Sequence, residues 1–234
     1  STFINTFLTK IVFIIGADLV LREVSIANST ARGYVKKSWK FRVWLDDTPI
    51  GYHQVKINTE ANRKTVHTQA NFDVRFLLIP VYSYEHETRE LWEDGCLVDI
   101  NSSTDDNGDD YYISSKQQSK ELALETQNGS TSLDGCVRTF AYWDIELMQV
   151  ERLLNTQTGE YQSVSVTDMG TNMLTVDEKQ IEARQFRLVS EEMTIDLWYT
   201  KDMHWLALES VTESGAVLRY LPDSLADLQL GSRS

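Results

Sequence analysis

The feature that most constrains the fold of this chain is a series of short segments in which apolar and polar residues alternate. The pattern is clearest at residues 39–44, in the run Trp-Lys-Phe-Arg-Val-Trp. Alternation with this period places every second side chain on one face of a β-strand. About a dozen such segments follow one another as far as Leu221, generally separated by Gly, Asp or Asn. We therefore predict an all-β fold in which a strongly curved antiparallel sheet forms an open or half barrel.

The length of the chain predicts one β domain. A chain of 234 residues is ordinary for a single β-sandwich or barrel and can bury a sizeable core. We expect a single antiparallel domain over residues 32–222, followed by a flexible C-terminal tail over residues 223–234.

The first 31 residues support two interpretations. One cation, Lys10, precedes an apolar stretch at residues 11–21 that is too short to span a bilayer. This order is typical of a secretory signal, which predicts a periplasmic or otherwise exported protein. Asp18 inside the stretch is unfavourable for a signal. It favours the alternative of an uncleaved N-terminal anchor, which would also suit a cytoplasmic protein.

The two cysteines, Cys96 and Cys136, each follow an Asp-Gly pair. In an exported protein they would form a disulfide, which stabilises by roughly 4 kcal/mol for a loop of this length. Two buried free thiols are the alternative if the leader is not a signal. The cysteines lack the C-x-x-C spacing that indicates zinc binding or redox catalysis.

The charge of the chain argues against nucleic-acid partners. It carries 35 acidic and 22 basic residues, for a formal net charge of −13. Phosphate backbones and anionic lipid surfaces would repel such a protein. We expect no nucleic acid, and peripheral membrane contact at most beyond the N-terminal segment.

No motif indicates catalysis. The sequence lacks a Gly-x-Ser-x-Gly elbow, a His-Glu-x-x-His pair and a Gly-rich phosphate loop. Asp105, Asn107 and Asp109 suggest a calcium loop, but Asp110 and Lys116 stand where that loop needs Gly and Glu. A solvated hairpin is the better interpretation. We predict a protein that is not an enzyme and has no metal site and no cofactor.

The central stretch, residues 132–166, contains the best candidate for a helix. Asp144 is suited to cap its N-terminus, because a carboxylate there accepts hydrogen bonds from free amide groups. We predict a strand over residues 137–142 and then a helix at about 144–154. Its apolar face would carry Leu147, Val150, Leu153 and Leu154.

Aromatic residues supply a candidate binding surface. Alternation places Tyr82 and Tyr84 on one face of a strand, and Trp198 opposite Tyr199. A curled sheet must fill its concave face with its own side chains or hold something apolar. Ordinary core packing of these rings is the alternative.

Five motifs carry a resemblance that spans residues 39–221. They are Leu-Trp-Glu-Asp-Gly-Cys-Leu at 91–97, Thr-Phe-Ala-Tyr-Trp-Asp at 139–144, Leu-Leu-Asn-Thr-Gln-Thr-Gly-Glu-Tyr at 153–161, Leu-Trp-Tyr at 197–199 and Trp-Leu-Ala-Leu-Glu at 205–209. In these motifs the chain resembles a family of uncharacterised bacterial exported proteins with a domain of unknown function. That family is remotely similar to lipoprotein-carrier half-barrels, in which a concave apolar face holds acyl chains under a helix.

The resemblance implies that residues 144–154 form a lid over a ligand. The candidate ligand-binding residues are Tyr82, Tyr84, Phe140, Tyr142, Trp143, Leu147, Leu154, Trp198 and Trp205. Our first functional hypothesis is therefore non-enzymatic binding or carriage of a hydrophobic small molecule. The second is a structural or interaction subunit that docks on a larger assembly through its N-terminal segment and exposed aromatic residues.

Overall fold

A computed structural model describes residues 34–76, 79–118, 121–176 and 178–222. Nearly all of its regular structure is β-strand, which confirms the predicted all-β class. The predicted leader and C-terminal tail lie outside the described residues. The strands are β1 (Tyr34–Leu45), β2 (Thr48–Glu60), β3 (Arg63–Phe76), β4 (Ile79–Glu93), β5 (Cys96–Asp106), β6 (Asp109–Gln118), β7 (Glu121–Thr126), β8 (Gly129–Asp134), β9 (Arg152–Leu154), β10 (Tyr161–Ser163), β11 (Ser165–Val176), β12 (Lys179–Val189), β13 (Thr194–Tyr199), β14 (Trp205–Val211) and β15 (Val217–Pro222).

Thirteen of these strands form one antiparallel sheet, in the order β11-β12-β13-β14-β15-β1-β2-β3-β4-β5-β6-β7-β8. Two meanders, β1–β8 and β11–β15, are joined where β1 pairs with β15, in a register that sets Phe41 opposite Pro222. The edge strands β8 and β11 are not paired with each other, so the sheet stays open. This confirms an open rather than a closed barrel.

The sheet curls so that side chains from distant strands meet on one face. The rings of Phe72 on β3 and Tyr220 on β15 are 6.3 Å apart, centroid to centroid. Three strand spacings separate β3 from β15, and in a flat sheet these correspond to about 14 Å. Because both side chains project from the same face, the sheet must be concave on that side.

Alternation works as predicted along β4. Tyr82 and Tyr84 are buried on the concave side, whereas Glu85 points outward. Pro80, which cannot donate a ladder hydrogen bond, lies at a register shift opposite β3, between Val74 and Arg75. The ladder between β3 and β4 is therefore irregular at this proline.

The carboxylate-rich segment is a hairpin, as predicted. β5 and β6 are joined by Asn107 and Gly108, which both have positive φ. An Asn-Gly pair favours this tight turn because both residues tolerate the left-handed conformation.

Residues 135–164, here called the covering segment, lie over the concave face. The predicted helix is present only as a five-residue 3-10 turn, Ile145–Gln149, capped by Asp144. Its amides bond three residues back, from Leu147 to Asp144 and from Val150 to Leu147, which defines the tighter helix. Residues 137–142 are not a strand: only Thr139 forms an isolated bridge, to Leu154.

Leu153 and Leu154 lie in β9 rather than in the helix, because β9 pairs with β10 in a separate two-stranded sheet. Among the residues that the structure describes, no helix is long and apolar enough to cross a membrane.

Candidate ligand site

The covering segment is fastened to the sheet mainly at its start and by side chains. Cys136 forms a disulfide with Cys96 of β5, as the export interpretation predicted. Next to it, the Leu97 amide donates to the Val137 carbonyl at 2.9 Å. From residue 138 to residue 164, the hydrogen bonds between backbone groups of the segment and other backbone groups are all internal to it. Packing of side chains therefore holds most of this segment in place.

One side of the concave face is aromatic. This aromatic half is formed by rings from β1, β2, β3, β14 and β15 that converge because the sheet curls. Trp205 packs on Phe41 at 4.3 Å and on Tyr142 of the covering segment at 5.5 Å, centroid to centroid. The indole of Trp39 donates to the Trp205 carbonyl at 3.1 Å, so even the polar edge of that ring is satisfied.

His53 lies among these rings without a hydrogen-bond partner on either ring nitrogen. Its imidazole is 5.4 Å from the Tyr220 ring, 5.6 Å from Trp205 and 6.2 Å from Phe41, centroid to centroid. Burial lowers the pKa of His53 to about 3, because a charged imidazole would lose its hydration there. At neutral pH His53 is therefore uncharged and offers one free donor and one free acceptor.

The other side of the concave face is a polar stripe on β4 and β5. It consists of His86, Thr88, Glu90, Ser102, Thr104 and Asp106, all buried. The covering segment supplies hydrogen-bond partners for several of them. Gln157 donates to Asp106 at 3.3 Å, and the Thr156 carbonyl accepts from Ser102 at 2.5 Å. The polar stripe is thus satisfied by side chains from both layers.

Glu90 is a buried carboxyl group of this stripe. It accepts hydrogen bonds from the indole of Trp92, at 2.8 Å, and from the hydroxyl of Thr139 in the covering segment. Burial raises the pKa of Glu90 to about 7, and these two donors only partly oppose that effect. A substantial fraction of Glu90 is therefore protonated at neutral pH.

A cavity of about 30 Å³ lies where the aromatic half, the polar stripe and the covering segment meet. It is large enough for a water molecule or one small functional group. Tyr142, whose buried hydroxyl has no partner, forms part of its wall. The full lining is His53, Val55, Thr68, Thr88, Glu90, Thr139, Phe140, Ala141, Tyr142, Trp143, Thr156 and Trp205. The lining is therefore amphipathic: it combines aromatic rings with polar side chains, and two of these, His53 and Tyr142, have unpaired polar atoms.

Larger depressions occur on the surface, but charged side chains line them. One of about 680 Å³ includes Arg63, His67 and Arg89. Another, of about 400 Å³, includes Glu85, Glu87 and Asp105. Glu87 pairs with both His67, at 3.3 Å, and Arg89, at 2.7 Å. These charges fit ordinary solvated surface, so the cavity is the better candidate site.

The structure brings together four of the predicted ligand-binding residues. Phe140, Tyr142, Trp143 and Trp205 line the cavity. The other five lie outside its lining. Tyr82, Tyr84, Leu147 and Leu154 are buried elsewhere in the core, and Trp198 pairs with Ala207 on the opposite face from Tyr199.

Sequence reasoning did not select His53, Thr88 or Glu90 for this site. The alternation of β4 contained the signal for two of them, since Thr88 and Glu90 continue the inward-facing series of Tyr82 and Tyr84. No local pattern could place His53 beside Trp205, because three strand spacings separate β2 from β14.

In the described part of the chain, no group of three or more His, Cys, Asp and Glu side chains is arranged to hold a metal ion. A family model for a domain of unknown function, DUF6134, matches residues 41–223. The chain belongs to the DUF6134 family. No curated protein matches the sequence. Every residue that lines the cavity lies within the DUF6134 domain.

Proposed function

We propose that this DUF6134 protein binds and carries a hydrophobic small molecule, such as an acyl lipid, between its curved sheet and the covering segment. The observation that carries the proposal is the amphipathic cavity between these two layers. Its unpaired His53 nitrogens and Tyr142 hydroxyl are unusual in a core whose only role is packing, because buried polar groups are normally hydrogen-bonded.

The apolar walls of the cavity supply the affinity. Phe140, Tyr142 and Trp205 provide flat ring surface, and burying a ligand chain against it stabilises by about 25 cal/mol per Å². In this state the rings bury one another. A ligand chain therefore enters by replacing contacts that the covering segment makes with the aromatic half.

The covering segment is built to move as one piece. Its backbone–backbone hydrogen bonds beyond Val137 are internal, so displacing it breaks no β-ladder of the large sheet. The bonds to the sheet that it would lose are those that side chains make, such as Ser102 to the Thr156 carbonyl and Tyr199 to the Tyr142 carbonyl. The disulfide between Cys96 and Cys136 would keep its first residues in place, and β11, which begins at Ser165, would hold its last ones while the middle lifts. Such a segment acts as a gate over the concave face.

We also propose that the family is remotely similar to lipoprotein-carrier half-barrels and that this protein is bacterial and exported. An open curved sheet with a helix-bearing segment across its concave face supports the first inference. The disulfide supports export, because disulfides persist mainly in oxidising compartments.

Docking on a larger assembly has less support. The N-terminal segment invoked for it lies outside the described residues. Tyr52 and Tyr112 are exposed aromatic side chains of the described residues, but they lie on different strands, β2 and β6, of the sheet. Ligand binding is therefore the function that the geometry favours.

Native mass spectrometry of protein purified without detergent tests the proposal. We expect an extra mass of a few hundred daltons that denaturation releases. If purification removes the ligand, an uncharged fluorescent apolar probe should bind in an equimolar complex. A protein that carries no extra mass and takes up no probe would contradict the proposal.

A variant pair locates the binding. Ala141 lines the cavity, so Ala141→Leu fills it and should weaken probe binding by roughly tenfold. Ala123, half-buried on β7, does not line the cavity, and Ala123→Leu should bind the probe as the wild type does. Equal weakening by both variants would place the probe somewhere else.

A further inference from the structure

We infer that the cavity selects the head group of the ligand, and that this head group is an uncharged oxygen group such as a hydroxyl. This inference rests on the proposed function and adds its polar specificity. The class of ligand would be long-chain alcohols and acylglycerols rather than fatty acids, phospholipids or amines.

The charges that face the cavity argue against an anionic head group. Its lining contains neither lysine nor arginine, and its only acidic residue is Glu90. A carboxylate or phosphate placed there would lose its hydration with no cation in the lining to compensate. Buried anions in proteins are normally paired, so the cavity disfavours them.

The nearest cationic groups are used elsewhere. Lys64 lies over the Trp143 ring at 5.1 Å and 3.9 Å from Asp144. Arg138 bonds to Asp144 at 3.2 Å and to Glu146 at 2.6 Å. Neither cation lines the cavity. They hold the start of the covering segment and do not neutralise a buried anion.

A cationic head group also fits poorly. His53 stays neutral because of its burial, and burial also favours the protonated form of Glu90. Glu90 already accepts hydrogen bonds from Trp92 and Thr139. An ammonium group placed there would therefore lose its hydration without gaining a fully ionised carboxylate as its partner.

An uncharged oxygen matches the free groups. The neutral imidazole of His53 offers one N–H and one lone pair, and the Tyr142 hydroxyl can donate or accept. A ligand hydroxyl can donate to one of them and accept from the other. The cavity volume of about 30 Å³ suits such a single group.

The test compares four ligands with the same dodecyl chain: dodecanol, dodecanoate, dodecyl phosphate and dodecylamine. Each displaces an uncharged fluorescent apolar probe from the wild-type protein at pH 6, below its micelle concentration. We expect dodecanol to displace the probe at about tenfold lower concentration than the charged ligands, equivalent to about 1.4 kcal/mol.

Two tyrosine variants test whether a hydroxyl of the cavity lining causes the preference for dodecanol. Tyr142→Phe removes only the hydroxyl of this lining residue and should weaken dodecanol binding by about fivefold more than it weakens probe binding. Tyr220→Phe removes another buried hydroxyl without a partner, from a residue that does not line the cavity. This variant should bind both dodecanol and the probe as the wild type does.

The outcomes separate this inference from the proposed function. If all four ligands displace the probe equally, or if a charged one is best, the head-group inference is wrong while ligand carriage stands. The head-group inference would also be wrong if Tyr142→Phe and Tyr220→Phe weakened dodecanol binding equally. If neither the probe nor any dodecyl ligand binds, both the inference and the proposed function fail.

Discussion

The two sides of the concave face are built from the same strand alternation but are stabilised differently. In the aromatic half, rings such as Trp205 and Phe41 pack directly on one another. In the polar stripe, side chains such as Asp106 and Glu90 depend on partners, some of which the covering segment supplies. Water can replace those partners when the segment lifts, but it cannot replace ring contacts.

This difference sets how the covering segment would open. Separating the segment from the polar stripe exchanges hydrogen bonds for similar ones to water, at a net loss of about 1 kcal/mol each. Separating Tyr142 from Trp205 exposes ring surface and requires a ligand to take its place. We therefore expect the segment to open first over the polar stripe and last over the aromatic half.

The largest effect should come from removing the central ring of the aromatic half. Trp205→Ala deletes a fully buried indole and should lower the free energy of unfolding by about 5 kcal/mol. Thr88→Val in the polar stripe is the comparison and should cost about 1 kcal/mol. Urea denaturation measures both. Similar losses of unfolding free energy in the two variants would mean that the aromatic half and the polar stripe contribute equally to stability.

Removing the disulfide should have the next largest effect. The double variant Cys96→Ser, Cys136→Ser should lose about 4 kcal/mol, because the unfolded chain regains the entropy of a long loop. Hydrogen exchange should also accelerate at Thr156 and Gln157, over the polar stripe, before it does at Tyr142. Faster exchange at Tyr142 first would reverse the proposed order of opening.

The pH dependence of the polar stripe should be visible through Glu90. Its pKa is raised to about 7 in the folded protein from 4.5, so the unfolded chain releases this proton more readily. The burial of Glu90 therefore does not lower the free energy of unfolding below pH 4.5. The loss of unfolding free energy grows as the pH rises to 7 and then stays constant at about 3 kcal/mol.

Glu90→Gln removes this dependence. The variant should gain stability relative to wild type across that window, as measured by urea denaturation at several pH values. His53 has the opposite effect, because its lowered pKa makes the folded protein less stable in acid. This effect is the same in wild type and Glu90→Gln, so it cancels in the difference between their free energies of unfolding. A constant difference between the two proteins from pH 4.5 to pH 8 would contradict the burial of an ionisable Glu90.

The smallest effects come from a pair of tyrosines in the core. Tyr199 donates its hydroxyl to the Tyr142 carbonyl at 2.7 Å, whereas the Tyr220 hydroxyl has no partner. Tyr199→Phe should therefore lower stability by about 1 kcal/mol, and Tyr220→Phe should raise it slightly. Thermal unfolding of the two variants measures the difference. Equal shifts would show that the Tyr199 bond contributes nothing.

Local sequence was sufficient to predict the class of the large sheet and the inward faces of strands such as β4. The inward side chains of β4 follow from period-2 alternation, and the Asn107-Gly108 turn follows from the ease with which both residues adopt positive φ. These features depend on near neighbours in the chain. Tertiary packing does not change them, because the core is formed by the same alternate side chains that are apolar in the sequence.

The covering segment shows where local rules fail. Leu147, Val150, Leu153 and Leu154 have helical spacing, yet β9 pairs with β10 and takes the last two into a strand. The cavity was equally inaccessible to local reasoning. It forms only where His53 meets Trp205 and the covering segment, and that meeting depends on the order of strands in the sheet.

The pairing of β1 with β15 has a consequence for the time course of folding. These are the first and last described strands, and their ladder joins the two meanders into one sheet. During synthesis the ladder cannot form until β15 has left the ribosome, so the concave core is completed late. Contacts this distant in sequence also make folding slow. The described part of the chain therefore stays incompletely folded until its last strand has been made.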